Sequence, residues 1–193
     1  DSEGHVTTFA GSGTVGTTNG ASTTARFNSP YGLASDSSGN IYVADSGNNL
    51  IRKIDSNGTV TTLAGSGSAA STDGQGTSAS FNRPLGIAVD NSGNVYVVDN
   101  QGHKIRRIDS SGYVTTLAGT GSAGSSNQGR SSTFNQPAGL ALDSSNNLYV
   151  ADKQNHLIRK ISIPPEHSEV ALTLYNLDDD TNATVNLASS DTG

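Results

Sequence analysis

Short apolar runs alternate with turn-forming residues along most of the chain. In one representative stretch, YGLASD (31–36), IYVAD (41–45), LIRKID (50–55) and TVTTLAG (59–65) are separated by SSGN, SGNN and SNG. Runs rich in β-branched and aromatic residues favour strands, and the Gly, Asn and Ser between them favour tight turns. No stretch has the 3.6-residue apolar period of a helix. The pattern predicts consecutive antiparallel strands.

Local residue choices refine these boundaries. Pro30 precedes the first run and suits the start of a strand, because proline cannot donate to a ladder. Asn57-Gly58 predicts a tight hairpin with positive φ at both residues. The Gly/Ser/Thr/Ala segment 66–80 that follows the fourth run is expected to be an irregular connection.

The whole four-run pattern repeats. VTTFAGSG, VTTLAGSG and VTTLAGTG start at Val6, Val60 and Val114, and FNSPYGLA, FNRPLGIA and FNQPAGLA start at Phe27, Phe81 and Phe134. The period is 54 residues, and one deletion shortens the last step to 53. Repeats of this length indicate stacked supersecondary units.

Each unit predicts one four-stranded antiparallel sheet with apolar residues on both faces, which is typical of a propeller blade. Residues 6–10 correspond to a fourth strand, two complete sets follow, and three strands end near Ile161. We therefore predict an all-β fold of three four-stranded blades, with one fourth strand at the N-terminal end.

The repeated blocks resemble NHL repeats. The resemblance is carried by G-N-x-Y-V-A-D, N-x-x-I-R-K-I, and V-T-T-L-A-G-S-G followed by F-N-x-P-x-G, across residues 6–162. It implies a β-propeller of the type found in secreted and cell-surface proteins. Members of that family usually close a ring of six blades, and they include structural modules, RNA binders and a few enzymes.

Charge divides the chain near residue 163. Residues 1–162 carry eleven acidic and eleven basic groups, whereas residues 163–193 carry six acidic groups and no Lys or Arg. We therefore expect blades over 1–162 and an acidic β tail, or the start of a second β domain, over 163–193. Alternating SEVALTLYNL (168–177) and ATVNLAS (183–189) predict two strands in that tail.

Composition excludes several partners. Neither part has the basic excess that binding to a nucleic-acid backbone requires, and no apolar run is long enough to span a bilayer. The chain has no cysteine, so it has neither disulfides nor a thiolate metal site. Its low charge and high Ser, Thr, Gly and Asn content favour an extracellular or cell-surface location.

Three blades leave two apolar faces and an open strand edge, which favour association. Two copies could close a six-bladed ring, or copies could join head to tail into a filament. The third possibility is that the chain is a fragment of a longer propeller.

Two charged positions recur in every unit. Because a catalytic site is normally unique, a repeated residue indicates blade architecture. We predict that each arginine packs between blades and pairs with the aspartate, which also accepts backbone N–H groups at the turn between the second and third strands. The residues are Asp45, Asp99 and Asp152 with Arg52, Arg106 and Arg159.

Two histidines, one acidic run and one Gly-rich segment are further candidate sites. His103 and His156 are one unit apart and could hold a metal, but Asn49 occupies the equivalent place in the first unit. The Asp178–Asp180 run could bind Ca²⁺, although acidic turns are usually solvated. AGSGTVG (10–16) opens no helix and is not a phosphate loop. We predict no catalytic residue, metal or cofactor.

Two N-x-[ST] sequons, at Asn57 and Asn182, fall in predicted turns and are candidate glycosylation sites. The Ser/Thr-rich connections 12–24, 66–80 and 120–133 could carry O-linked glycans or remain polar loops.

These expectations favour a non-enzymatic extracellular structural or interaction module. Its partners would be other copies of itself, in a ring-completing dimer or in a fibre or surface appendage. The alternatives are a propeller fragment of a larger surface protein that binds a glycan or protein, and a metal-dependent lyase or hydrolase.

Overall fold

The computed structural model describes residues 4–163, 171–175 and 182–186. The chain divides into two compact units, Asp1–Ser162 and Ile163–Gly193. The described secondary structure consists of strands and four single-turn 3-10 segments. None of the helical turns in these ranges is long and apolar enough to cross a bilayer.

The first blade contains four consecutive strands and one short strand from the connection that precedes them. The strands are β1 (Gly20–Ala21), β2 (Pro30–Ser35), β3 (Ile41–Asp45), β4 (Leu50–Ile54) and β5 (Thr59–Ala64). Their order in the sheet is β1-β5-β4-β3-β2, and every pair is antiparallel.

The second blade repeats this arrangement. Its strands are β6 (Gly74–Gln75), β7 (Pro84–Val89), β8 (Val95–Asp99), β9 (Lys104–Ile108) and β10 (Tyr113–Ala118), in the order β6-β10-β9-β8-β7.

The third blade has three strands among the described residues. They are β11 (Gly139–Leu142), β12 (Asn147–Asp152) and β13 (Leu157–Ser162), in sequence order. The innermost strands β2, β7 and β11 pack side by side, so the three sheets form one stack.

The second unit contains two described strands, as the alternating pattern predicts. β14 (Ala171–Tyr175) and β15 (Asn182–Asn186) pair antiparallel, with Ala171 opposite Asn186 and Tyr175 opposite Asn182. Asn182 therefore begins a strand, and its prediction as a turn residue is wrong.

Within the blades the predicted strands are observed nearly to the residue, and the all-β propeller-blade fold is confirmed. The turn at Asn57-Gly58 differs from expectation because only Gly58 has positive φ, at 81°. The Asp55 carboxylate accepts the N–H groups of Asn57 and Thr59, which closes a longer turn around Asp55.

Two further segments, residues 6–10 and 66–80, also differ from the prediction. Residues 6–10 form no strand, because no described strand lies beside them. The connection 66–80 is not wholly irregular, since it contributes β6, which pairs with the outer strand β10 through Gly74 and Gln75.

An extensive core cluster fills the space between the first and second blades. The face of the first blade that carries Ala44 and Ile51 meets the face of the second blade that carries Ile87 and Val97. A smaller cluster lies between the first blade and its preceding connection and contains Ala25, Val43, Ile54 and Val60.

Candidate interaction surface

Each blade contains one Arg–Asp ion pair between adjacent strands, fully buried in the first two blades and partly exposed at the arginine in the third. Arg–Asp distances are 2.9 Å for Arg52–Asp45, 2.9 Å for Arg106–Asp99 and 3.0 Å for Arg159–Asp152. The aspartate ends the second long strand of the blade, and the arginine lies on the next strand, so the hairpin brings them together.

The arginine fastens the connection that precedes its own blade. Arg106 donates to the carbonyl oxygens of Ser80 and Thr72 at 3.1 and 2.8 Å, and its guanidinium lies 5.2 Å from the Phe81 ring centroid. Arg52 and Arg159 repeat these contacts with Phe27 and Phe134. Each arginine is thus committed to its own unit even where no neighbouring blade is present.

A polar residue of the connection completes each cluster. It accepts a hydrogen bond from the arginine and lies within the connection, eight residues before the phenylalanine in the first two units and seven in the third. The three residues are Asn19, Asp73 and Asn127. The 54-residue spacing of this polar position is a signal in the sequence that the arginine has a third partner.

The aspartate accepts its backbone hydrogen bond at a different place from the predicted one. Asp45 Oδ1 accepts the N–H of Asn28 at 2.7 Å, and Asp99 and Asp152 accept those of Asn82 and Asn135. These donors precede the innermost strand and do not belong to the turn between the second and third strands. The aspartate therefore ties the start of the blade to its middle.

Electrostatics match this buried structural role. Burial raises the pKa of the Asp99 carboxyl, and the Asn82 N–H, the Ser71 hydroxyl and Arg106 act in the opposite direction.

Burial and the adjacent Asp36 carboxylate raise the pKa of Tyr42 to about 12, so its hydroxyl stays protonated at neutral pH.

The position shared by Asn49, His103 and His156 joins neighbouring blades. Asn49 Oδ1 accepts the N–H of Arg83 at 2.8 Å, and His103 Nδ1 accepts that of Gln136 at 3.1 Å. In each case the donor lies just before the innermost strand of the next blade. The His156 imidazole has no such donor in the part of the chain that the structure describes.

This contact also bears on the metal alternative for the two histidines. Accepting the Gln136 N–H occupies Nδ1 of His103, which leaves only Nε2 for another ligand. Among residues 4–163, no group of three or more His, Cys, Asp or Glu side chains lies close enough to hold a metal ion. The Asp178–Asp180 run lies outside the described residues.

The two outer faces of the stack are exposed copies of surfaces that are buried inside it. On the first blade Tyr31 and Leu33 are both 66% exposed, whereas the equivalent Leu85 and Ile87 of the second blade are 7% and 6% exposed. We call the surface of Tyr31 and Leu33 the first-blade face.

On the third blade Ile158 is 75% exposed, whereas the equivalent Ile51 and Ile105 are fully buried. Ala151 pairs with both Ile158 and Gly139, so the three residues share one side of the sheet. We call this surface the third-blade face.

A repeated glycine allows adjacent blades to approach closely. A Cβ at Gly86 would lie 2.7 Å from the Ala138 carbonyl oxygen of the third blade, and one at Gly32 would overlap the Leu85 carbonyl oxygen of the second. A Cβ at the equivalent Gly139 would meet only the Ala151 side chain, at 3.7 Å. The third-blade face therefore has the shape that receives a further innermost strand.

A cleft of about 350 Å³ opens beside the first-blade face. It lies between the first and second blades and offers an exposed aromatic ring, an exposed arginine and several polar groups. Its lining includes Tyr31, Ser46, Asn49, Arg83 and Leu85.

One remaining candidate is the glycosylation site predicted at Asn57. Asn57 is exposed in the turn between β4 and β5.

Family comparisons match nearly all of the blade unit. The teneurin NHL domain matches residues 9–75 and 68–132, and the NHL repeat matches residues 134–161.

Individual relatives match shorter parts. Protein SUPPRESSOR OF QUENCHING 1, chloroplastic, from Arabidopsis thaliana is 40% identical over 93 residues, which are 47% of this chain and 9% of that protein. NHL repeat-containing protein 2 from Homo sapiens is 41% identical over 85 residues, 42% of this chain and 12% of that protein.

A solved structure from Bacteroides thetaiotaomicron, a structural genomics protein of unknown function, has a TM-score of 0.63 at 31% identity. The match covers 68% of this chain and 34% of that chain. The chain thus spans about a tenth of the curated relatives and about a third of this solved structure.

Proposed function

The chain belongs to the NHL-repeat family, and on that premise we propose that it is a non-enzymatic interaction module that binds further copies of itself. The third-blade face of one copy packs against the first-blade face of the next. One observation carries the proposal, which is that Tyr31 and Leu33 are exposed where the equivalent Leu85 and Ile87 are buried.

The junctions inside the chain indicate how two copies fit. The second blade receives the third through Gly86 and His103, and the third blade presents Gly139 and His156 at the same places. The N–H of Ser29 on a second copy is then the donor for His156, as the N–H of Gln136 is for His103. Exposed apolar area supplies the main driving force.

This pairing is heterologous, because two different faces meet. Such a contact closes when the rotation between copies allows it and otherwise produces an open filament. Two copies supply six blades, and a longer series forms a fibre. Both products satisfy the proposal, because each buries the first-blade and third-blade faces.

The non-enzymatic and extracellular parts of the proposal have separate support. The recurring Asp and Arg residues pair with each other and hold the connections in place, which gives them a structural role. Low charge, the Ser- and Gly-rich connections and the exposed Asn57 sequon favour an extracellular or cell-surface module.

Sedimentation velocity over a wide concentration range tests self-association. We expect species larger than the 19.6 kDa chain, and we expect Leu33→Asp and Ile158→Asp each to abolish them. Tyr113→Asp is the matched control, because Tyr113 is an exposed aromatic on the second blade, away from both end faces. A chain that stays monomeric at every concentration contradicts the proposal.

The cleft beside Tyr31 supports a second candidate, a module that binds a glycan or a peptide on one propeller face. Tyr31 offers a stacking surface and Arg83 a charged donor. Binding to a glycan array that is lost in Tyr31→Ala and Arg83→Ala supports this candidate, and an array without binding counts against it.

A further inference from the structure

Among the described residues, the third blade has no strand at the place that β5 and β10 hold in the other two blades. In the second blade, β10 covers the outer edge of β9, but no described strand pairs with the outer edge of β13. The corresponding positions, 166–171, read EHSEVA and not YVTTLA. The unused copy of the fourth-strand motif, VTTFA, lies at residues 6–10.

The backbone directly after residues 6–10 has the same conformation as the backbone directly after the fourth strands β5 and β10. Gly11, Gly65 and Gly119 have φ values of 111°, 103° and 107°. Their N–H groups donate to the backbone carbonyl oxygens of Ser22, Gly76 and Arg130, which hold matching places in the three connections. In the first and second blades the glycine comes directly after β5 or β10. Residues 6–10 therefore join the following connection in the same way as a fourth strand does.

Gly65 and Gly119 each lie close to a backbone carbonyl oxygen of their blade, and Gly11 has no such neighbour. A Cβ at Gly65 would lie 2.7 Å from the Asn49 carbonyl oxygen, and one at Gly119 would lie 2.5 Å from that of His103. A Cβ at Gly11 would meet only its own unit's Phe27, at 3.5 Å. The residue that matches Asn49 and His103 in the third blade is His156.

Side-chain exposure shows the same gap from both sides. Val6 is 95% exposed, whereas its equivalents Val60 and Val114 are fully buried. The side chain of Arg159 is 10% exposed, whereas those of Arg52 and Arg106 are fully buried.

We propose that residues 6–10 of one copy form the fourth strand of the third blade of another copy, an inference that rests on the self-association proposed above. The register follows from that of β9 and β10, which pairs Ile108 with Val114 and Arg107 with Thr115 and contains a bulge before Ala118. In the exchanged strand, Val6 pairs with Ile161, Thr7 with Lys160, Thr8 with Arg159 and Ala10 with Ile158.

The exchange and the face contact require the same arrangement of copies. Within the chain, β5 leads directly into the connection that covers the second blade. Residues 6–10 lead in the same way into the connection that covers the first blade of their own copy. The third blade that receives them from a second copy must therefore pack against that first blade. That position is the one that buries Tyr31 and Leu33.

A polar contact also supports this register. The Thr116 hydroxyl donates to Asp73 at 2.9 Å, and that of Thr62 donates to Asn19 at 3.3 Å. Both acceptors belong to the polar position of the arginine cluster. In the exchanged strand the Thr8 hydroxyl meets Asn127, the third residue of that set.

Site-specific disulfides test the exchange, because the chain has no cysteine of its own. Paired residues in an antiparallel ladder have Cα atoms roughly 4.5–5.5 Å apart, which suits a disulfide. Thr7→Cys chains are mixed with Lys160→Cys chains and oxidised, and the linking peptide is identified by mass spectrometry. Lys153→Cys replaces Lys160→Cys in the control, since Lys153 is exposed on the same blade but outside the register.

We expect a reducible 7–160 link between separate chains and none between positions 7 and 153. Copies that associate in sedimentation but form no 7–160 link overturn the exchange and leave the face contact standing. Chains that neither associate nor link overturn both. In a double variant carrying both cysteines, a link confined to single chains also overturns the exchange.

Discussion

Ile105 and Ile158 occupy the same position in the second and third blades, yet one is fully buried and the other is largely exposed. The strands around them pair in the same register, with Val98 opposite Ile105 and Ala151 opposite Ile158. The third blade covers the first of these isoleucines, and no described residue covers the second. The structure of a blade thus depends on its own sequence, whereas the burial of its face depends on the next blade.

The largest expected effect tests the feature that the blades share. Arg106→Leu leaves Asp99 buried and unpaired, so we expect the free energy of unfolding to fall by about 3–5 kcal/mol. Arg159→Leu should cost less, because water reaches the partly exposed Arg159 site in the third blade. Urea denaturation measures both, with exposed Arg83→Leu as the control. Equal losses for Arg106→Leu and Arg83→Leu would contradict the structural role.

The next test compares the two isoleucines directly. Ile105→Ala opens a cavity between blades and should lower the free energy of unfolding by about 2–5 kcal/mol. Ile158→Ala in dilute solution should change it by less than about 0.5 kcal/mol, because the side chain is exposed. Similar losses in urea denaturation would show that Ile158 is already covered within a single chain.

A smaller effect is expected at the repeated glycine. Gly86→Ala forces a methyl group against the Ala138 carbonyl oxygen and should cost about 1–3 kcal/mol. Gly139→Ala meets only ordinary contact distances, so thermal unfolding of the dilute chain should be unchanged. The same variant should weaken association in sedimentation. Unchanged association would remove Gly139 from the proposed contact.

The smallest effect concerns the hydrogen bond between blades. His103→Ala removes the acceptor for the Gln136 N–H and should lower the free energy of unfolding by about 0.5–1.5 kcal/mol. His103→Asn should restore most of it, because Asn49 plays this part in the first blade. Urea denaturation that does not distinguish the two substitutions would argue against the hydrogen bond.

Sequence was sufficient for the strands because each blade is a local meander. Alternation, Pro30 and the turn residues located β2 to β5 nearly to the residue. Equal spacing of three copies then located the rest. The Asp45–Arg52 pairing could also be expected, since both residues recur on consecutive strands of one hairpin.

Contacts between distant segments were harder to predict. Positive φ at Asn49 and His103, at 55° and 52°, suits Asn and His better than most residues. Asn Oδ1 and His Nδ1 hold the same place on their side chains, so the exchange of Asn for His at one repeat position was a usable signal for a shared acceptor. The Asp45 bond to Asn28 could not be predicted, because it joins segments whose proximity only the folded blade creates.

Amide hydrogen exchange at low and high protein concentration tests the central claim most directly, because it reports association and its location together. We predict that the amides of residues 6–10, and the β13 amides that point away from β12, exchange quickly in dilute solution and become protected as concentration rises, while β9 is protected throughout. Rapid exchange at these same amides at every concentration would contradict the proposal that one copy completes another.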